Sequence, residues 1–229
     1  MMTIVLVHGA WHGSWCWQRV TPLLEKRGLA VRTIDLPSVG PRPKAGTDLS
    51  ADAAAVEALI EGIEGPVLLC GHSYGGMVIS HAAAERVTRL VYLCAFMPVE
   101  GESLVSIGGG RHAPWIQLLD GGLTLPDPAR TEAVFYSDCD AQTVRWATRE
   151  IRPQSAAPFD EPVPRPAWRN TPSTYVVCAN DMALPPDVQR NVFAPRATEK
   201  IELQASHSPF LSQPAALADL LAARASGSR

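Results

Sequence analysis

Gly71-His72-Ser73-Tyr74-Gly75 sets a serine between two glycines, directly after the apolar run Val67 to Cys70 and directly before the helix-forming stretch Gly76-Met77-Val78-Ile79. A strand that reverses into a helix this sharply forces the serine into a strained backbone conformation. It also requires small residues two before and two after, where strand and helix nearly touch. Such an elbow presents the hydroxyl for acyl transfer, but a serine is a poor nucleophile at neutral pH. A base must take its proton, and histidine has the suitable intrinsic pKa. Six histidines compete for that role: His8 ends the first apolar run, His12 lies in the loop after it, His72 sits inside the elbow, His81 on the helix that follows, His112 in an irregular middle segment, and His207 after the last apolar run.

Where a G-x-S-x-G elbow serves as nucleophile in an α/β sheet, nucleophile, acid and base follow one another along the chain, with the base after the final strand. Only His207 satisfies that order. His8 and His12 read as organisers of their loop, and His81 as a packed or surface residue. The acid is then expected after the penultimate strand, where Tyr175-Val176-Val177-Cys178-Ala179-Asn180-Asp181 ends in a carboxylate. Asp181 would hold the imidazole in one tautomer and stabilise the imidazolium. Asp187 follows Pro185 and Pro186 at a helix start and reads as an N-terminal charge. Asp35 reads as a turn acid, and Asp138 and Asp140 belong to the middle segment. An acyl-transfer site also needs donors aimed at the developing oxyanion, and the N–H groups of Ala10, in His8-Gly9-Ala10-Trp11, and of Tyr74 are the candidates.

The elements that must position these residues alternate. Thr3 to Val7, Ala30 to Ile34, Pro66 to Cys70, Arg89 to Cys94, Thr174 to Cys178 and Lys200 to Leu203 read as strands, most with few polar residues on either face, as in a parallel sheet covered on both sides. Val56, Leu59, Ile60 and Ile63 make one apolar helix stripe with Ser50 as its cap, and Ser212 and Pro214 open a last helix bearing Leu217, Leu220 and Leu221. The alternation breaks in residues 99–170, rich in glycine and proline. There Ala129 to Tyr136 and Ala141 to Ile151 read as short helices, and Arg145, Arg149 and Arg152 as a solvated face. This insertion reads as a cap over a core formed by residues 1–98 and 171–229, and Ala225 to Arg229 as a loose tail.

Composition limits the partners. The chain has 229 residues, 46% of them apolar, enough for one sizeable core. Its 20 Lys and Arg against 23 Asp and Glu, without long runs, give nucleic acid no concentrated positive surface. The longest apolar stretch, Leu90 to Met97, is too short to span a bilayer, and no basic region precedes the first apolar run, so no membrane partner and a cytoplasmic setting are expected. The five cysteines (Cys16, Cys70, Cys94, Cys139, Cys178) form no C-x-x-C pair and read as reduced thiols.

Several segments together resemble the α/β-hydrolases of the plant hydroxynitrile lyase and methylesterase branch, with its bacterial esterase relatives. They are Leu6 to Trp17, the elbow Gly71 to Gly75, Leu93-Cys94-Ala95-Phe96-Met97-Pro98, Phe135-Tyr136-Ser137-Asp138-Cys139, and His207 ahead of a proline-capped helix. The resemblance implies an α/β-hydrolase fold: a mostly parallel six-stranded sheet with helices on both faces and a small cap inserted after the fourth strand. It further implies no metal or organic cofactor, an apolar acyl pocket and a tendency to form homodimers. Trp11, Phe96, Met97, Trp115, Phe135, Met182 and Phe210 are the apolar candidates for that pocket. The cyanide-releasing lyases of the branch carry a threonine where Gly9 stands and a lysine where Ser208 follows the histidine; both departures favour hydrolysis. The expected activity is therefore that of a serine carboxylester hydrolase acting on a small or medium, partly apolar ester through an acyl-enzyme. A carbon–carbon lyase using the same triad, and a receptor or carrier that binds without turnover, are the alternatives.

Overall fold

A computed structural model describes residues 2–82 and 84–227. Its strands are β1 (Thr3–Val7), β2 (Ala30–Ile34), β3 (Val67–His72), β4 (Val87–Leu93), β5 (Ile116–Leu119), β6 (Leu123–Pro126), β7 (Gln154–Ser155), β8 (Ser173–Cys178) and β9 (Glu199–Leu203). Six of them form a parallel sheet in the order β2-β1-β3-β4-β8-β9. Parallel pairing brings all their carboxyl ends, and the loops that leave them, to one edge. Every residue of β1, β3 and β8 is buried, whereas β9 at the sheet edge alternates between half-buried and exposed positions.

β1 and β2 keep their expected limits, and the other strands of this sheet shift by one or two residues at an end. β3 continues through Gly71 and His72, which pair with Tyr92 and Leu93 of β4, so the ladder extends to the residue before Ser73. Glycine and histidine carry little strand preference of their own, and pairing with β4 supplies what local sequence does not. The helix Leu49–Glu61 is capped by Asp48, which accepts the Ala51 N–H at 2.9 Å; Ser50 lies inside the helix and donates to Glu161. Ser212 closes the short helix Pro209–Ser212, and the final helix Pro214–Ala225 starts from Gln213, with Leu217, Leu220 and Leu221 buried. Of the expected tail, Ala225 ends this helix, and Ser228 and Arg229 lie outside the described residues.

Between β4 and β8 the helices Pro128–Phe135 and Ala141–Glu150 form close to their expected positions. Arg145 and Arg149 are exposed, but Arg152 lies past the helix end, where its guanidinium donates to the Arg149 and Ile151 carbonyls. The sequence reading had no place for the antiparallel sheet β5-β6-β7 in this stretch. Its hairpin turns on Asp120-Gly121-Gly122 with both glycines in the left-handed region (φ 77° and 73°), a recognisable hairpin signature.

The elbow depends on bare backbone contacts. A Cβ on Gly71 would lie 2.5 Å from the Gly75 carbonyl oxygen, and one on Gly75 would lie 2.7 Å from that of His8. A Cβ on Gly76 would overlap the carbonyl oxygen of Phe96, whose N–H in turn donates to the Ser73 carbonyl at 3.1 Å. Helix propensity alone makes Gly76→Ala stabilising by about 1 kcal/mol. Overlap with backbone reverses the sign, and a net loss of about 1–3 kcal/mol is expected. Thermal unfolding checks this: a melting temperature equal to or above that of the parent protein would show that the loop after β4 yields freely.

Candidate active site

Four loops leaving the carboxyl edge build the site: those after β1, β3, β8 and β9. Ser73 directly follows β3 with φ 52°, a left-handed conformation costly for a residue with a Cβ, and its backbone is fixed by its N–H to Leu93 O at 3.2 Å and by its carbonyl accepting from Gly76. His207, after β9, points Nδ1 at Asp181 Oδ2 at 2.7 Å, and both side chains are almost wholly buried. Asp181, just past β8, also accepts from the N–H groups of Ala183 (2.8 Å) and Leu184 (2.9 Å) and from Gln189 Nε2 (2.9 Å). Four donors on two oxygens suit an ionised carboxylate. It holds the proton of His207 on Nδ1 and leaves Nε2 a free lone pair. Ser73 and His207 line the same cavity. Among the described residues the Ser73 hydroxyl makes no hydrogen bond; such contacts commonly tighten only when substrate is bound.

Gln189 escaped the sequence reading, which considered only its neighbour Asp187; that residue is exposed and pairs with Arg190. The Gln189 amide is locked by three bonds, its oxygen accepting from the Cys178 N–H and its nitrogen donating to both Asp181 and the Leu184 carbonyl. No motif marks it, because its role comes from the helix after Pro185 folding back over the end of β8.

The N–H groups of Ala10 and Tyr74 have no acceptor among the described residues, and both residues line the cavity. Gly9 is not the source of open space beside them. A Cβ there would lie 2.7 Å from His72 Nδ1 and 2.9 Å from Ser73 Cβ, so the glycine lets the β1 loop close directly onto the elbow. His8 Nδ1 meets the Gly9 carbonyl at 2.8 Å while its Nε2 accepts the Leu36 N–H at 3.0 Å. His12 Nδ1 meets the Ala10 carbonyl at 2.7 Å while its Nε2 faces the Tyr136 hydroxyl at 2.9 Å. Each ring is thereby fixed as the neutral Nδ1–H tautomer. The Gly9 carbonyl and the Ala10 N–H belong to one peptide plane, so His8 fixes the direction of that donor. His72 Nε2 donates to the His207 carbonyl at 2.8 Å, tying the elbow to the loop after β9. Among the described residues His72, Cys94 and His207 are the group near enough to one another to hold a metal ion. His72 Nε2 and His207 Nδ1 are already committed to the His207 carbonyl and to Asp181.

The cavity measures about 320 Å³, with Trp11, Phe96, Trp115, Leu104, Ile107, Phe159 and Leu184 among its apolar walls. Trp11, Phe96 and Trp115 therefore stand where the sequence reading expected them. Phe135 stands behind this wall, buried against Trp11, Trp115 and the His207 ring. Met182 points to solvent at 64% exposure, since Asp181 draws the backbone N–H groups of Ala183 and Leu184 inward and those two residues face the cavity instead. Phe210 is buried against Trp17 and His72, and Met97 is buried in the core.

Burial lowers the pKa of His8, holds His12 down at about 3, and pushes His72 well below the usual imidazole range, with His207 as a second cause for His72. A histidine that is neutral when folded but titrates near 6.5 when unfolded gives the unfolded chain the extra proton. Stability is thus full above the unfolded value and is lost as pH falls through 6.5 toward the folded value. Between pH 7.5 and 5.0, His12 alone is expected to remove about 2 kcal/mol, with His8 and His72 adding in the same direction. Urea unfolding at the two pH values measures this, and His12→Asn should flatten the dependence by that amount; an unchanged slope would place the proton elsewhere.

The chain is 34% identical over 242 residues to a pyrethroid hydrolase of Sphingobium wenxiniae, covering 96% of this chain and 86% of that one. It is 30% identical over 242 residues to salicylic acid-binding protein 2 of Nicotiana tabacum, covering 92% of each. A crystal structure of a pyrethroid hydrolase from Sphingobium faniae superimposes with a TM-score of 0.86 at 30% identity, over 99% of this chain and 98% of that one. A family model described as the alpha/beta hydrolase family matches residues 4–220, and the chain belongs to that family.

Proposed function

We propose that Ser73, His207 and Asp181 are the nucleophile, base and orienting acid of this serine carboxylester hydrolase, with the N–H groups of Ala10 and Tyr74 as its oxyanion hole. The observation that carries this reading is the shared cavity. An Asp181-oriented imidazole, the strained serine and two backbone donors without acceptors among the described residues all border one apolar space. Such a space suits the acyl or alcohol part of an uncharged, partly apolar ester.

As Ser73 Oγ attacks the ester carbonyl, its proton passes to His207 Nε2, and the carbonyl oxygen takes the negative charge between the Ala10 and Tyr74 donors. Collapse breaks the bond to the alkoxy oxygen, which leaves as alcohol with the proton from His207. Water then attacks the acyl-enzyme, giving a proton to His207, and the second tetrahedral intermediate collapses by breaking the bond to Ser73 Oγ, which takes that proton back from His207 as the acid leaves. Residues 99–170 serve as the cap over the 1–98 and 171–229 core, contributing Leu104, Ile107, Trp115 and Phe159 to the cavity wall. Five cysteines, each free of a disulfide, suit a reducing, cytoplasmic setting.

Cyanohydrin cleavage is the less favoured reading because an expelled anion needs a cation beside the base, and the cation that borders the cavity, Arg111, is an exposed side chain in the glycine-rich part of the insertion. Ser208 is buried immediately after the base, and Lys200 lies within β9, exposed to solvent. With an aryl acetate, Ser73→Ala is expected to lose at least about a thousandfold in rate. Mandelonitrile should release no cyanide above background. Ser73-dependent cyanide release without ester cleavage would reverse the assignment, and ligand binding without turnover would make the protein a carrier. Trp115→Ala should raise the rate on longer acyl esters relative to acetate, and an unchanged chain-length profile would remove this part of the cap from substrate selection.

A further inference from the structure

Asp52 carries a fully buried carboxylate that the hydrolytic steps do not consume. It sits on the helix Leu49–Glu61, where Oδ1 accepts the Ser38 N–H at 2.9 Å and Oδ2 accepts the hydroxyls of Ser38 (2.6 Å) and Tyr74 (2.7 Å). A carboxylate can only accept, so both hydroxyls spend their protons on it. The Ser38 oxygen is then left to accept from Gln154 Nε2 at 3.1 Å. That fixes the amide of Gln154, whose Oε1 accepts the Trp11 N–H at 3.1 Å. Burial raises the pKa of this carboxyl and the donors from Ser38 and Tyr74 oppose that rise; with Asp52 as a carboxylate, every donor direction along the chain follows from it.

The two ends of the network flank the proposed oxyanion donors. Tyr74 supplies one of them with its own N–H, and Trp11 follows Ala10, which supplies the other. Trp11 has φ 59°, a left-handed conformation that persists in a tryptophan only when its surroundings overdetermine it. Three further bonds do so beyond its N–H: the indole Nε1 donates to Thr124 at 3.0 Å, the carbonyl accepts from the Arg152 N–H at 3.0 Å, and the preceding Ala10 carbonyl accepts from His12.

We propose that Asp52 is a positioning residue for the oxyanion hole, holding the elbow through the Tyr74 hydroxyl and the β1 loop through Ser38, Gln154 and the Trp11 N–H. The inference rests on the Ser73 acyl-enzyme reading. Donors to an oxyanion act within a few tenths of an ångström, so their misplacement is felt by the tetrahedral state and little by the bound ester. An asparagine at position 52 has one acceptor oxygen in place of two. Turning its NH2 toward the hydroxyls reverses the chain and brings the Gln154 NH2 against the Trp11 N–H. Turning it the other way sets it against the Ser38 N–H.

The test compares the parent protein with Asp52→Asn, Gln154→Leu, Tyr74→Phe and the Asp52→Asn/Gln154→Leu double variant. Readouts are kcat and KM on an aryl acetate, and Ki for an aryl trifluoromethyl ketone, whose hemiketal with Ser73 carries an oxyanion. Asp52→Asn and Gln154→Leu should each lower kcat by about tenfold to a hundredfold with KM within about twofold, and the ketone Ki should rise by the same factor. The double variant should lose no more than the worse single one. A folded Asp52→Asn with parent kcat, a kcat loss without the matching Ki change, or losses that multiply would overturn the inference. If Asp52→Asn does not fold, Tyr74→Phe decides by the same match of kcat and Ki, since it deletes one hydroxyl and leaves the carboxylate its Ser38 donors. Parent activity that does not depend on Ser73 would defeat the esterase reading itself, whereas Ser73-dependent parent activity with unaffected variants would defeat only the role of Asp52.

Discussion

The chain reverses at Ser73 within a space too tight for a side chain at Gly9, Gly71, Gly75 or Gly76. Gly71 meets the Gly75 carbonyl, Gly75 meets the end of β1, Gly76 meets the Phe96 carbonyl, and Gly9 closes on His72 and Ser73 from the other side. Backbone contact among β1, the elbow and the loop after β4 lets a serine hold φ 52° and still face the cavity. It also sets Ala10 and Tyr74 side by side, so that two N–H groups from loops far apart in sequence border the same space. Stability and chemistry therefore share one set of close approaches. Relief of strain at the elbow would draw Ser73 away from the N–H groups of Ala10 and Tyr74.

Four histidines gather beneath this arrangement, and their hydrogen bonds divide the labour. His8, His12 and His72 each meet a backbone carbonyl, and burial keeps them neutral. Of the four rings, His207 is the one bonded to a carboxylate. Neutral rings brace the loops without placing fixed positive charge beside His207, where it would oppose protonation of that ring. Lysine or arginine in the same places would hold carbonyls equally well and work against proton uptake at His207.

Much of this was legible in the sequence, for identifiable reasons. Ser73, Asp181 and His207 each follow an apolar run that had to be a strand, and a parallel sheet brings such positions to one edge whatever the details between them. Trp11, Phe96 and Trp115 were recognisable as large apolar residues close to those loops. Gln189, Asp52 and Gln154 were not, because their roles arise from hydrogen bonds between segments distant in sequence, and a buried amide or carboxylate leaves no periodic pattern. Met182 and Phe135 were misjudged as pocket walls for a related reason. Apolarity and proximity in sequence say nothing of which way a side chain turns, and here backbone N–H groups bound to Asp181 turned Met182 outward. The small sheet β5-β6-β7 did leave a trace, the Asp120-Gly121-Gly122 turn, which glycine-rich surroundings disguised as irregular chain.

The insertion between β4 and β8 is fastened to the core unevenly. Along Arg152 to Ser155 it is sewn to Trp11, Ser38 and Gly40 by backbone and side-chain bonds, whereas Gly108 to Gly110 and the Gly121-Gly122 turn carry little beyond their own backbone, with Gly109, Gly110, Gly121 and Gly122 all at positive φ. Sequence drift is therefore unequal in its effects across a single insertion. Lengthening the glycine-rich side bears on the mouth of the cavity, which Gly108 lines, and leaves the bonds of the sewn edge in place. A change at the sewn edge instead reaches the backbone of Trp11, and through it Ala10, where the β1 loop borders the cavity beside Ser73. One insertion thus carries a side on which the chain can vary in length and a side on which it cannot move without moving the β1 loop.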